Sequence, residues 1–173
     1  MLYNLLISLV DQFSALNVFR YLTFRTGLSV MSSMIIVFFI GAPFIKFIDE
    51  SYNANPLSMS SAIKNISHYK RQGNLKKIVL LGDMLELGKK TKKLHKELSN
   101  VINESDIDKV FVYGNYIKET FKFLSKKKKG RVFNNLKDAY DHFSKIVNNN
   151  DLLMIKGSNA TGLNQFSKNI KKG

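Results

Sequence analysis

The stretch KKIVLLGDMLELGKKTKKLHKEL, residues 76–98, decides the fold. It opens with a short run of β-branched residues and leucines that ends at Gly82, which is typical of a buried strand. Apolar residues at helical spacing follow over Thr91–Ile102, namely Leu94, Leu98 and Val101. They predict a helix with one apolar stripe. A strand, a polar turn and a helix in this order indicate one unit of an α/β fold.

The same alternation repeats on both sides of this stretch. The other predicted strands are Lys109–Tyr113, Arg131–Phe133 and Leu152–Ile155. The other predicted helices are Pro56–Tyr69, Tyr116–Leu124, Leu136–Val147 and Leu163–Ile170, and in the first of them Ala62, Ile63 and Ile66 share a face. Strands that alternate with helices predict a Rossmann-like, mostly parallel sheet with helices on both faces.

Composition excludes several classes of site. The chain of 173 residues has no cysteine, so a disulfide scaffold and a cysteine-ligated metal site are excluded. The histidines His68, His95 and His142 are not at metal-ligand spacing, which argues against zinc. The net charge of +14 is typical of proteins that bind nucleic acid or anionic membranes. Lysine and asparagine are abundant throughout the chain after residue 45 rather than gathered on one segment, however, so compositional bias is the simpler interpretation.

The first part of the chain differs sharply from the rest. Before residue 49 the charged side chains are Asp11, Arg20, Arg25 and Lys46. Gly27–Ile45 is uncharged and is long enough to cross a bilayer as a helix, because about 20 apolar residues suffice. Six cations between residues 46 and 77 outnumber the two before the stretch, which predicts a cytoplasmic C-terminal part. We therefore expect residues 1–47 to carry one span, at about 27–45, in the inner (cytoplasmic) membrane, followed by an α/β domain over 49–173.

Ligands of open parallel sheets bind beyond the carboxyl ends of the strands. That rule indicates four places: Asp49–Pro56, Gly82–Gly88, Gly114 and Lys156–Gly162. The first is either an anion site at a helix start or a strand-to-helix turn with an asparagine cap. In the last, Lys156 beside a small hydroxyl either holds a carboxylate or phosphate or is a solvated lysine before a turn.

Two glycine- and lysine-rich segments invite functional interpretations. Gly82–Lys90 lacks the spacing and the hydroxyl of a Walker A loop, so the sequence predicts no phosphate loop of its own. Lys126–Lys129 reads as a solvated loop between a helix and a strand. Nucleic-acid binding through it is disfavoured, because no aromatic stacking platform accompanies it.

The N-terminal segment resembles a membrane enzyme family. DQFSALNVFRYLTFRTG, from Asp11 to Gly27, then the apolar stretch and Gly41-Ala42-Pro43-Phe44-Ile45, resemble the start of the phospho-N-acetylmuramoyl-pentapeptide transferases (MraY). That family transfers a phospho-sugar-peptide to undecaprenyl phosphate with Mg²⁺. Its catalytic aspartates lie on later loops, so this segment is not expected to carry the transfer.

The rest of the chain resembles another family of the same pathway. DESYNANPLSM from Asp49, LLGDMLELG with the downstream His95, and MIKGSNATGL from Met154 are similar to the C-terminal domain of the Mur ligases that add D-Ala-D-Ala to UDP-MurNAc-tripeptide (MurF). The resemblance implies ATP and Mg²⁺ as cofactors. It also implies an acyl phosphate of the tripeptide carboxylate that the dipeptide amine attacks, and a C-terminal domain that closes over a central ATPase domain.

The resemblance also assigns site residues. Those on the nucleotide side would be Asp49, Ser51, Tyr52, Asn53 and Asn55. Those on the substrate side would be Lys156, Gly157 and Ser158. The family usually has arginine where this chain has Asn159, which weakens a carboxylate grip there. No residue is assigned a catalytic role, and no metal ligand is assigned.

The resemblance places the first strand at about Ile45–Glu50, directly after the apolar stretch. Domains normally join through exposed polar linkers. We therefore interpret the seam as a recent or artefactual junction of two neighbouring pathway genes, which sequencing across codons 44–51 would test. The expected function is the C-terminal part of the ligase, needing the missing ligase domains from elsewhere. The alternatives are a membrane-tethered binding module, a fragment of the transferase, and a basic binder of membranes or nucleic acid.

Overall fold

The computed structural model describes residues 46–148 and 151–172, and its centre is one parallel sheet of five strands. The strands are β1 (Lys46–Glu50), β2 (Lys77–Gly82), β3 (Lys109–Tyr113), β4 (Lys129–Phe133) and β5 (Leu152–Lys156). Their order across the sheet is β1-β5-β2-β3-β4. The predicted parallel α/β sheet is thus confirmed.

Five α-helices cover this sheet. They are α1 (Pro56–His68), α2 (Thr91–Glu104), α3 (Ile117–Lys122), α4 (Leu136–Ile146) and α5 (Leu163–Lys172). Helices α1 to α3 pack on one face, against the side chains of Val79 and Leu81 in β2. Helices α4 and α5 pack on the other face, against Ile78 and Leu80 of the same strand. Because successive side chains of a strand point to opposite faces, the fully buried strand β2 belongs to two separate cores.

Helix α2 is correctly predicted, but its buried face is rotated from the predicted stripe. The buried residues are His95, Leu98, Ser99 and Ile102. Leu94 and Val101, which defined the predicted stripe with Leu98, are only half-buried. The His95 ring accepts a hydrogen bond from the Met84 amide in the loop after β2, and this bond holds the ring on the buried face of the helix.

The segment Lys126–Lys129 is not the solvated loop that the sequence predicted. Residues 126–128 form a 3₁₀ turn, and Lys129 begins β4. Lys128 is only 4% exposed, and its ammonium donates to the carbonyl oxygens of Ser105 at 2.6 Å and Ile107 at 2.9 Å. Burial, and next the charge of Lys127, lower the pKa of this ammonium. It thus joins the end of α2 to the start of β4.

The connections reverse direction at β5. The chain moves outward from β2 to β4 by way of α2 and α3 on one face, then returns through α4 on the other face to insert β5 between β1 and β2. The loops after β1 and β2 therefore lead to one face and the loop after β5 leads to the other. Such a switch point opens a crevice at the carboxyl ends of the strands, here called the carboxyl edge.

The predicted span at about 27–45 lies outside the described residues. Within residues 46–148 and 151–172, no helix combines the length and the apolar character that crossing a membrane requires.

Candidate functional site

The loop after β1 is shaped by its own polar side chains. One carboxylate oxygen of Asp49 accepts hydrogen bonds from the Ser51 amide at 3.1 Å and the Ser51 hydroxyl at 2.6 Å. The other oxygen accepts from the hydroxyl of Ser167 in α5. Ser51 is itself buried. These two predicted nucleotide-side residues thus fix the turn and tie it to a helix on the far face.

Asn55 caps helix α1. Its side-chain oxygen accepts from the Ser58 amide at 2.8 Å, while the Ser58 hydroxyl accepts from the Asn55 amide at 3.0 Å. Pro56 occupies the first helical position, where its missing N–H costs nothing. The interpretation of this segment as a strand-to-helix turn with an asparagine cap is confirmed. The caps also occupy helix-start groups that an anion would need.

Lys156 holds a carboxylate, and that carboxylate belongs to the same chain. The lysine is 4% exposed, and its ammonium lies 3.0 Å from the Glu50 carboxylate. The same ammonium donates to the carbonyl oxygen of Asn53 at 3.0 Å. Lys156 therefore joins the end of β5 to the end of β1 and to the loop that follows β1. Sequence reasoning named the lysine but missed Glu50 as its partner.

Gly157 and Ser158 join β5 to β2. A Cβ on Gly157 would lie 3.0 Å from the Gly82 Cα and 2.8 Å from a methyl of Leu163, so only glycine fits. The Ser158 amide donates to the Asp83 carbonyl oxygen at 3.0 Å, and the Ser158 hydroxyl accepts from the Leu85 amide at 3.0 Å. The loops after β1, β5 and β2 thus form one bonded unit, here called the loop cluster.

Asp83 extends the loop cluster to β3 and α3. One of its carboxylate oxygens accepts from the amides of Tyr116 at 2.9 Å and Ile117 at 2.7 Å, and the other accepts from Asn115 at 2.9 Å. Gly114 has φ of 140°, and any Cβ there would collide with the Asp83 carboxylate. Helix α3 has no side-chain cap of its own. Asp83 therefore caps it from another loop, a relationship that no local sequence signal could reveal.

His95, in helix α2, holds the loop after β2 in place. Its Nδ1 donates to the Thr91 carbonyl oxygen at 2.8 Å, and its Nε2 accepts from the Met84 amide at 3.1 Å. The ring is completely buried, and this burial lowers its pKa against the opposing influence of the Thr91 carbonyl and the Asp83 carboxylate. His95 is thus held as the neutral tautomer and has a structural role.

We expect the full chain to lose stability as the pH falls below about 6.5, the ordinary pKa of histidine. The lowered pKa of His95 means that the unfolded chain binds a proton more readily than the folded one, so acid favours unfolding. The slope should reach up to about 1.4 kcal/mol per pH unit. Urea midpoints measured between pH 8 and pH 5 check this.

The matched control for this prediction is His142→Gln. Burial, and then Arg131 and Lys145, lower the pKa of His142, which contributes in the same direction. The loss of stability at acid pH should persist in His142→Gln and become smaller in His95→Gln. Equal pH profiles in the wild type and His95→Gln would contradict the role given to His95.

Two predicted residues of the carboxyl edge point outward. Tyr52 is 80% exposed, and the neighbouring Asn53 is exposed while its carbonyl oxygen accepts from Lys156. Leu57, the second residue of α1, is also exposed. These side chains present an aromatic ring, an amide and an aliphatic group beside the loop cluster. They are suited to contact a ligand or another domain.

A polar cleft of ≈370 Å³ opens beside the loop cluster. It is lined at the ends of β2, β3 and β4 and by the 3₁₀ turn after β5, with polar side chains from Asp83, Asn115, Lys118, Asn134 and Thr161. Gly114, the third predicted location, lies in its wall. The four loops chosen from the sequence thus lie along the same edge of the sheet.

The sequence profile of the Mur ligase glutamate ligase domain matches residues 39–159, well over half of the chain. The chain belongs to the Mur ligase family. It is 33% identical over 129 residues to the UDP-N-acetylmuramoyl-tripeptide--D-alanyl-D-alanine ligase of Bacillus subtilis, covering 73% of this chain and 28% of that one. The crystal structure of MurF ligase from Thermotoga maritima in complex with ADP has 25% identity and a TM-score of 0.58. The match covers 73% of this Mur ligase chain and 29% of the Thermotoga chain.

The N-terminal resemblance is also confirmed. The phospho-N-acetylmuramoyl-pentapeptide-transferase of Pelagibacter ubique is 58% identical over 57 residues, covering 33% of this chain and 16% of that one. The chain thus spans less than a third of the curated ligase and about a sixth of the transferase. Two parts of this Mur ligase family member are similar to two enzymes that act on N-acetylmuramoyl-peptide precursors.

Proposed function

We propose that residues 49–173 act as the C-terminal domain of a D-alanyl-D-alanine-adding ligase in peptidoglycan precursor synthesis. One observation carries the proposal: the three motifs shared with those ligases form the loop cluster at the carboxyl edge. Asp49 to Asn55, Gly82 to Leu85 and Lys156 to Ser158 are mutually bonded there. An edge built this way presents a preformed surface to a partner that holds the reacting groups.

The polar groups of the loop cluster do not fit the phosphates of ATP or its Mg²⁺. The carboxylates of Asp49 and Asp83 accept internal hydrogen bonds, and the Lys156 ammonium is paired with Glu50. The Met84 and Leu85 amides are bonded to His95 and Ser158. We therefore propose that phosphate and metal chemistry comes from ligase domains that residues 49–173 do not include, and that this domain supplies Tyr52 and Asn53 at the nucleotide side.

We further propose that the apolar stretch at about 27–45 anchors the domain in the inner membrane with residues 49–173 in the cytoplasm. The stretch is uncharged and long enough to span, and cations predominate after it. The resemblance of this segment to the start of the transferases, a family of membrane enzymes, supports the same location. The substrates of the ligase that this domain completes would be UDP-MurNAc-tripeptide and D-Ala-D-Ala.

Reconstitution in trans tests the ligase proposal. The full chain is mixed with a Bacillus subtilis ligase truncated before its C-terminal domain, and amide formation from UDP-MurNAc-tripeptide, D-Ala-D-Ala and ATP is measured. We expect activity only in the mixture. The positive control restores the truncated ligase with its own C-terminal domain. Restoration by that domain but not by this chain would refute the proposal, and amide formation by this chain alone would refute its dependence on a partner.

Within that assay, Tyr52→Ala and Asn53→Ala should each lower the rate of amide formation by roughly 3- to 10-fold. This is the fold-change that corresponds to the net free energy of one hydrogen bond. Their unfolding free energies should stay within about 0.5 kcal/mol of the wild type, because both side chains are exposed. Tyr140→Ala on α4 is the matched control, since that tyrosine is exposed and lies on a helix that packs on the opposite face of the sheet from α1. An equal loss of rate in Tyr140→Ala would show that the effect is not specific to the edge.

A further inference from the structure

The end of the sheet opposite the loop cluster, here called the amino edge, is strongly basic. Because all five strands are parallel, their first residues lie together at this edge. Lysines lie at or just before the start of four of the strands: Lys46 at β1, Lys76 at β2, Lys109 at β3, and Lys126 and Lys127 in the 3₁₀ turn that leads into β4. All are exposed except Lys46, which is half-buried. Lys70, just after α1, adds another exposed cation.

The acidic groups of the amino edge are largely occupied. Arg71 bonds to the carboxylates of Asp106 and Asp108, each at 2.8 Å, and the buried Lys77 lies 2.9 Å from Asp106. These hydrogen bonds, the one from Arg71 first, hold the pKa of Asp106 well below its usual range. Asp151 is buried.

Asp151 accepts from the amide of Lys76 at 3.1 Å and from that of Asn148 at 2.9 Å. Glu104, at the end of α2, is an exposed carboxylate at the same edge. The exposed lysines of this edge outnumber this carboxylate, so the amino edge carries an excess of positive charge.

The chain enters the sheet at this same edge. Lys46 is the first residue of β1, and it directly follows Ile45, the last residue of the uncharged stretch Gly27–Ile45. Neighbouring strands lie about 4.8 Å apart, so the starts of all five strands fall within roughly 20 Å of that entry point. A bilayer that held the uncharged stretch would therefore lie within reach of the lysines.

We propose that the amino edge is a membrane-facing surface that binds anionic phospholipid headgroups and turns the carboxyl edge away from the bilayer. The inference rests in part on the proposed span, which brings the two together. Lysines near an anionic leaflet each strengthen binding by a similar increment, and the effect falls off within a Debye length. The loop cluster and the exposed Tyr52 would then remain open to soluble ligase domains.

The test compares binding of the full chain to vesicles of phosphatidylcholine alone and of phosphatidylcholine mixed with phosphatidylglycerol. Lys76→Gln/Lys126→Gln/Lys127→Gln removes three amino-edge charges. The matched control, Lys89→Gln/Lys90→Gln/Lys137→Gln, removes three exposed charges at the carboxyl edge, so both variants have the same net charge. We expect the amino-edge variant to lose about 10- to 100-fold of the binding that phosphatidylglycerol adds, and the control less than about threefold.

A second readout uses the wild type bound to the mixed vesicles. Lysines of the amino edge should react more slowly with an amine reagent than Lys89, Lys90 and Lys137 do. Equal losses in the two triple variants, no response of the wild type to phosphatidylglycerol, or equal reactivity at both edges would overturn the proposal. So would tighter binding to a polynucleotide than to the mixed vesicles at the same salt concentration.

The vesicles also separate the two proposals. Binding to phosphatidylcholine alone reports on the span, because neutral headgroups offer the lysines no net charge. A chain that ignores neutral vesicles but binds the mixed ones through its amino edge would refute the span and support the edge. A chain that binds the neutral and the mixed vesicles equally would support the span and refute the role of the amino edge.

Discussion

Lys156→Met should lower the free energy of unfolding of the full chain by about 3–5 kcal/mol, as expected when one partner of a buried ion pair is removed. The methionine fills most of the same space but leaves the Glu50 carboxylate without its counter-ion, and that carboxylate is largely buried. The Asn53 carbonyl oxygen loses its donor as well. Urea unfolding followed by circular dichroism measures the change.

A double-mutant cycle separates the ion pair from the loss of packing. Glu50→Gln in the Lys156→Met background removes the stranded charge, so the double variant should be more stable than Lys156→Met alone. A cost below about 1 kcal/mol for Lys156→Met, the value of a surface pair, would contradict the buried role of this lysine.

Asp83→Ala should cost about 2–4 kcal/mol, because it leaves three backbone amides at the start of α3 without an acceptor, and unsatisfied buried groups are expensive. The alanine also leaves a gap against Gly114, which contacts the carboxylate closely. Thermal or urea unfolding of the full chain would show the loss. Hydrogen exchange at Tyr116 and Ile117 should quicken in the same variant.

Asn135→Ala is the matched control for Asp83→Ala. Asn135 caps α4 locally and accepts from one amide, that of Asp138, at 2.8 Å. Its removal should cost only about 1 kcal/mol, the ordinary value of an exposed cap. Equal costs for the two variants would mean that Asp83 acts only as a local cap.

Most of the architecture was predictable because it depends on local periodicity. The apolar runs at Lys109–Tyr113 and Leu152–Ile155 became strands with nearly those limits, and the helix from Pro56 starts at the predicted residue. Beyond these elements, the Asn55 cap was also foreseen, since an asparagine before a proline at a helix start is a short-range signal.

What the sequence did not reveal are bonds between residues far apart in the chain. Lys128 looked solvated because it lies in a run of four lysines, yet its ammonium caps the end of α2. The pairing of Glu50 with Lys156 joins residues separated by more than 100 positions. In α2 the apolar pattern suggested the wrong centre for the buried face, since a buried histidine has no apolar signature.

The contact between Gly82 and Gly157 has a mechanical consequence. The two backbones approach closely because no side chain separates them, and the Ser158 hydroxyl bonds the loop after β5 to the loop after β2. The two loops therefore cannot move independently. A ligand or a partner domain that binds at this edge would therefore meet a surface whose loops do not move separately. A change of shape at this edge would therefore need backbone rotation outside the two loops.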